Sequence, residues 1–138
     1  MSDTNQVRAA QLLLRVSLGV MYLSHSVVLK GFMYGLPGTA QFFESIGLPG
    51  PLAYVVFTAE AIAGVLLIAG VWTRAVSLAL IPILAGAMWT HIGNGWVFSN
   101  PNGGWEYPLF LIVASVVLAL LPERVREDAP VIAPARAA

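Results

Sequence analysis

Glu60 stands in an apolar run that extends from Leu52 to Gly70 without another charged side chain. A charged group at the centre of a membrane helix costs about 2.5 to 3.5 kcal/mol on insertion scales, so it needs a proton, a partner or a ligand. The same theme recurs along the chain. Arg15, Tyr22 and His25 lie in a mostly apolar stretch that starts at Ala9, Lys30 closes that stretch, and His91 ends a run that begins at Ala75. Imidazoles and a carboxylate can take up and hand on protons, while a guanidinium and an ammonium can hold negative charge. Such a set suits proton-coupled chemistry on a small molecule. Each member also has a plainer reading: Arg15 and Glu60 as a buried ion pair, Lys30 as a snorkelling anchor, and His25 and His91 as ordinary interfacial residues.

The elements that must position these groups are membrane helices. With 58% hydrophobic and 10% charged residues, the composition leaves little room for a water-soluble domain. An all-α fold is expected, a four-transmembrane-helix bundle with spans near 7–29, 52–70, 75–92 and 105–121, each read as able to cross a hydrocarbon core of about 30 Å. The fourth is the shortest, and Trp105 and Tyr107 at its start suit the headgroup level. Pro82 falls inside the third, where it removes a backbone bond. All 138 residues read as one integral membrane domain, with 122–138 as a flexible tail and no cleavable signal.

Positive charge sets the orientation. Arg8, Arg74, Arg124, Arg126 and Arg136 fall at one end of the spans, against Lys30 alone at the other. Both termini are therefore expected on the cytoplasmic side. In the first outward loop the segment from Gly38 to Gly47 reads as a short interfacial helix, with Phe42, Phe43 and Ile46 as its apolar face and Gly47 and Pro49 as its stop. The second outward loop, from Gly93 to Gly104, is rich in turn residues and reads as a mobile hairpin-like connection. Glu106 behind it suits a helix N-terminus.

Helical spacing adds depth and direction. Arg15, Gly19, Tyr22 and Ser26 share one face with His25 on its flank, and Glu60 shares a face with Gly64, a residue that permits close approach of a neighbouring helix. Glu60 falls about 12 Å below the outer surface and Arg15 about 10 Å from the opposite end. His25, Lys30 and His91 belong to the outer half. The chain contains no cysteine, which excludes thiolate, disulfide and iron–sulfur chemistry on its own residues. A net charge of zero excludes a nucleic-acid footprint. No metal site and no covalent cofactor are expected.

The order of these residues resembles the DoxX family of small bacterial four-helix membrane proteins. The resemblance rests on Arg15, His25 and Lys30 of the first span, Gly47-Leu48-Pro49 after the loop helix, Glu60 of the second span, and His91, and it reaches to about Leu121. Many members end in a Gly-Pro-Gly followed by a Ser-Leu-Asp element, where this chain has Leu121-Pro122-Glu123-Arg124. The resemblance implies a multi-pass protein of the bacterial inner membrane. It also implies a link to quinol oxidases, and in one branch to thiosulfate oxidation with quinone as acceptor.

The leading functional expectation is a membrane oxidoreductase component that binds a quinone or a similar small hydrophobic redox molecule. His25, Glu60 and His91 are its candidate catalytic residues, and Arg15, Tyr22 and Lys30 its candidate substrate-binding residues. A partner oxidoreductase subunit and a homo-oligomer are the partners considered, besides the lipid bilayer. The first alternative is a non-catalytic subunit or assembly factor that supports a partner enzyme. Ligation of haem by the two histidines ranks below both.

Overall fold

The computed structural model describes residues 3–123. The element order is α1 (Asp3–Leu23), a π-helical continuation (Ser24–Met33), α2 (Leu36–Ser45), α3 (Gly50–Ala69), α4 (Thr73–His91), a single 3₁₀ turn (Ile92–Asn94) and α5 (Glu106–Leu120). No strand occurs among the described residues. Three of the helical segments, Asp3–Met33, Gly50–Ala69 and Thr73–Asn94, are long and apolar enough to cross a membrane. The fourth, α5, is apolar but has 15 residues, or about 22 Å at 1.5 Å per residue. The tail expected from 122 onward, with Arg124, Arg126 and Arg136, lies outside the described residues apart from its first two positions.

The helices run up and down in chain order. Arg15 meets Leu67 and Ile68 while Lys30 meets Glu60, so α1 and α3 are antiparallel. Arg74 meets Ala119 on α5. Packing is closest between α1 and α3 and between α4 and α5, with α3 against α4 and α1 against α5 closing the ring. Leu18, Tyr22, Leu67, Leu80, Leu84, Leu111 and Leu118 fill the interior. Two ends result: a terminal end holding the start of α1 and the α3–α4 turn, and a loop end holding α2 and the 95–105 connection.

Local chemistry explains the turns. Gly47 (φ +84°) and Gly70 (φ +74°) end α2 and α3 in the left-handed conformation that glycine adopts without strain. Both ends make the paired Schellman bonds: Leu48 N–H to Phe43 O at 2.9 Å with Gly47 N–H to Glu44 O at 3.1 Å, and Val71 N–H to Leu66 O at 3.0 Å with Gly70 N–H to Leu67 O at 3.1 Å. Gly47 therefore stops the loop helix as expected, although that helix begins two residues earlier than Gly38. α4 runs unbroken through Pro82. The second loop is tied more firmly than its composition promises. Trp105 N–H reaches Gly95 O, Glu106 N–H reaches Trp96 O, and the Trp96 and Trp105 rings meet edge to face with centroids 4.4 Å apart.

At the terminal end two arginines satisfy helix C-termini, where the last carbonyls lack intrahelical donors. Arg15 Nη1 donates to Leu67 O at 3.1 Å and Ile68 O at 3.0 Å, and its guanidinium fills the space that a Cβ on Gly70 would need. Arg74 Nε donates to Ala119 O at 2.8 Å. Between the ends, α1 and α3 touch backbone to backbone. A Cβ on Gly19 would come within 2.7 Å of Gly64 O, and one on Gly64 within 2.9 Å of Gly19 O. Small residues permit this approach where helices meet in lipid. Gly64→Val is therefore expected to cost about 1–3 kcal/mol through overpacking, read as a lower melting temperature of the detergent-solubilised protein. Gly86→Ala, whose added methyl would meet nothing within 4 Å, should leave it unchanged. Equal melting for Gly64→Val and the parent would show that α1 and α3 are not in backbone contact.

Candidate functional site

A mostly apolar cavity of about 550 Å³ opens at the loop end of the bundle, and every helix contributes to its wall. Phe42 and Phe43 of α2 and Ile46 at its C-terminal cap line it, so the apolar face anticipated for the loop helix turns toward the bundle mouth. Ile83 and Thr90 of α4, Tyr107 and Leu111 of α5, and Phe98 of the second loop complete much of the lining. Of the six residues singled out by sequence, the structure brings five to this wall: Tyr22, His25, Lys30, Glu60 and His91.

Arg15 is the exception. Its guanidinium is engaged at the C-terminus of α3, seven residues and about 10 Å along the helix from Glu60. The Arg15–Glu60 ion pair considered from the sequence does not form. Lys30 takes that place: its Nζ lies 2.6 Å from Glu60 Oε2, and it also reaches His25 O at 3.4 Å. Lys30 thus turns inward rather than snorkelling toward the surface.

The π-helical segment accounts for this exchange of partners. In an α-helix five residues span about 140° of turn, which would send His25 and Lys30 to different faces. Bonds from i to i+5, as in Tyr34 N–H to Leu29 O at 2.9 Å, instead stack residues five apart. His25 and Lys30 then share the cavity wall. Thr39 of α2, which is buried, braces the segment through Gly35 O at 2.9 Å and Lys30 O at 3.5 Å.

Both imidazoles are held in the same way. His25 Nδ1 lies 3.0 Å from Met21 O, and His91 Nδ1 lies 3.0 Å from Asn102 O. A carbonyl only accepts, so each Nδ1 is the donor in its contact, and in the tautomer this selects Nε2 is left as the open acceptor. His25 is further fixed by stacking on Tyr107, with centroids 6.1 Å apart and 29° between planes. Around His91 the loop is shaped to fit. Asn102 (φ +66°) also accepts from Asn94 Nδ2 at 3.1 Å, and Gly103 (φ +79°) packs on the His91 ring. Asparagine and glycine tolerate such positive φ better than other residues.

Tyr22 is 1% exposed. Its hydroxyl lies near that of Ser115 on α5, and neither hydroxyl makes a hydrogen bond among the described residues. Two contributors escaped the sequence reading. Tyr107 was assigned to the headgroup level, yet it braces His25. Ser115 was passed over, although it is the one hydroxyl in the apolar run from Leu109 to Leu121. Glu106 starts α5, as expected from its charge, and its carboxylate accepts from Phe98 N–H at 2.7 Å, which closes the second loop over the cavity. Among the described residues no group of three or more His, Asp or Glu side chains is arranged to hold a metal ion.

Comparison with known proteins gives a consistent result. A family model described as DoxX matches residues 10–93. The chain is 39% identical over 113 residues to a protein of Bacillus subtilis (strain 168) named "Putative oxidoreductase CatD", a match covering 82% of this chain and 79% of that protein. No solved structure matches the chain. The matched region contains all five of these wall residues as well as Arg15.

The ion pair makes its own forecast. Removing one partner leaves a charge in an apolar wall, so Glu60→Leu should destabilise the protein by about 3 kcal/mol or more, and the double variant Lys30→Met with Glu60→Leu should recover most of that loss. Melting temperatures of the parent, the single variant and the double variant decide it. A double variant no more stable than the single one would show that the two groups do not form a pair.

Proposed function

This chain belongs to the DoxX family, and from that premise we propose that it is a membrane oxidoreductase component whose loop-end cavity binds a quinone or a similar small hydrophobic redox molecule. One observation carries the reading. A cavity of about 550 Å³ with mostly apolar walls presents two imidazoles, each tethered through Nδ1 and open at Nε2, beside a partly buried ammonium–carboxylate pair. A flat, weakly polar ring with oxygen at its edge suits such walls, and ligand sites of this kind combine apolar surface with a few placed polar groups.

The tautomers give the chemistry a direction. A neutral imidazole with Nε2 open accepts a hydrogen bond, so it receives the hydroxyl of a hydroquinone and can take its proton as the ring is oxidised. Protonated, the same Nε2 donates to a quinone oxygen, which serves the reverse reaction. Glu60, beside Lys30, offers the protons an onward acceptor, and Lys30 stabilises negative charge on the bound ring. Electrons pass to or from a partner oxidoreductase, because a chain without cysteine supplies no thiol or iron–sulfur relay. In this reading the terminal end, which carries Arg8 and Arg74, faces the cytoplasm of a bacterium by the positive-inside rule, and the cavity belongs to the outer half of its inner membrane.

A non-catalytic role in supporting a partner enzyme is the second reading. It is favoured by the mutual satisfaction of Lys30 and Glu60. The test separates the two. Small molecules extracted from gently purified protein should include a quinone by mass spectrometry. His25→Leu and His91→Leu should each weaken quinone binding about tenfold, the loss of one charge-assisted or well-placed hydrogen bond. Glu60→Gln should abolish quinone-linked turnover while quinone still binds. Turnover unchanged in Glu60→Gln removes the relay role, and absence of any quinone from the extract together with no binding on addition rejects the oxidoreductase reading. A Soret band in the absorbance spectrum would point to haem instead.

A further inference from the structure

The cavity does not end at its polar groups. A second, wholly apolar groove of about 180 Å³ runs along the seam between α3 and α4, and Ile83 lines both spaces. The seam is continuous by helical register. On α3, Val56 walls the cavity, and Ala59 and Ala63 continue the same stripe into the groove at spacings of three and four residues. On α4, Gly86 lines the cavity, Ile83 lies where the two spaces join, and Ala79 lies one turn further into the groove. Small side chains line this seam. Gly86 is exposed, and a methyl group added there would meet nothing within 4 Å. Ala79 is also exposed, so the groove faces outward along the membrane-crossing part of the bundle.

We propose that the α3–α4 seam receives the hydrocarbon tail of the molecule whose polar ring occupies the cavity, so that the ligand is a tailed, membrane-dissolved compound that enters sideways from the bilayer past Gly86. The proposal rests on the reading of the cavity as a ring-binding site. Its own content is the tail and the route. A compound without a tail would leave the groove to lipid, whereas a tailed one fills both spaces at once, with its ring among the imidazoles and its chain against alanine.

The experiment compares a long-tailed benzoquinone with the same ring lacking its tail, on the full chain in nanodiscs. The parent protein should bind both. Ala79→Phe, which fills the groove from its exposed side, should weaken the tailed compound about tenfold, the effect of overpacking a fitted space, and leave the tail-less compound unchanged. Leu78→Phe changes a neighbouring exposed position outside the groove and should alter neither. A tailed quinone carrying a photoreactive diazirine at its tail end should label residues 59–66 or 76–83 of the parent, a readout that needs no variant. Equal binding of the tailed compound by Ala79→Phe and parent, or labelling confined to other segments, overturns the tail groove while leaving the ring site standing. Binding of neither compound by the parent removes the ring site itself, and this proposal with it.

Discussion

The Lys30–Glu60 ion pair, 2.6 Å long in a wall of apolar side chains, is the constraint around which the bundle is arranged. A carboxylate in the middle of α3 cannot stay charged in lipid-like surroundings without a partner. The partner comes from the far end of the first helix, so α1 must lie close enough to α3 and must present Lys30 on the correct side. Gly19 and Gly64 meet the first condition by letting the two backbones touch. The π-helical segment meets the second by bringing Lys30 onto the wall already occupied by His25. The ion pair, the glycine contact and the π-helical segment thus serve one electrostatic requirement.

Polar groups are divided between the two ends of the molecule by task. At the terminal end Arg15 and Arg74 are consumed in capping α3 and α5, where carbonyls would otherwise face an apolar surrounding without donors. At the loop end the imidazoles are tethered but not consumed, because each has one nitrogen bound to a carbonyl and the other open. Structure is served by hydrogen bonds that use up a side chain, and a site by hydrogen bonds that leave an edge of it available. The second loop belongs to the same scheme. Its glycines and asparagines, which in a sequence signal a turn, form a fitted bracket around His91.

Much of this was legible in the residues. The apolar runs give an all-helical bundle, Gly47 gives the stop of α2, and a lone carboxylate at position 60 announces that something must answer it. Which cation answers it was not legible. Arg15 has the reach and shares a face with Tyr22, and under α-helical geometry Lys30 points elsewhere. The decision turns on a π-helical stretch that no residue pattern marks, because Ser24 to Met33 contains no proline and its one glycine, Gly31, does not distinguish a π-helix from an α-helix. The contribution of Tyr107 was hidden for a different reason: an aromatic at a helix start suits the headgroup region equally well, and only the packing of α5 against α1 brings it onto His25.

Such a small chain holds a ring-sized space because four helices packed by small residues leave their loop end unfilled, and α2 covers the opening. The central claim is that both imidazoles face that one space with Nε2 open. The chain has only two histidines, so nitrogen-15 NMR of the histidine-labelled, tag-free protein in nanodiscs reads each ring separately. The account expects both rings to show a protonated Nδ1 and an unprotonated Nε2, and both Nε2 signals to move when a hydroquinone is added. Two Nε2 signals that stay fixed at saturating hydroquinone, or rings protonated at Nε2 from the start, would contradict it.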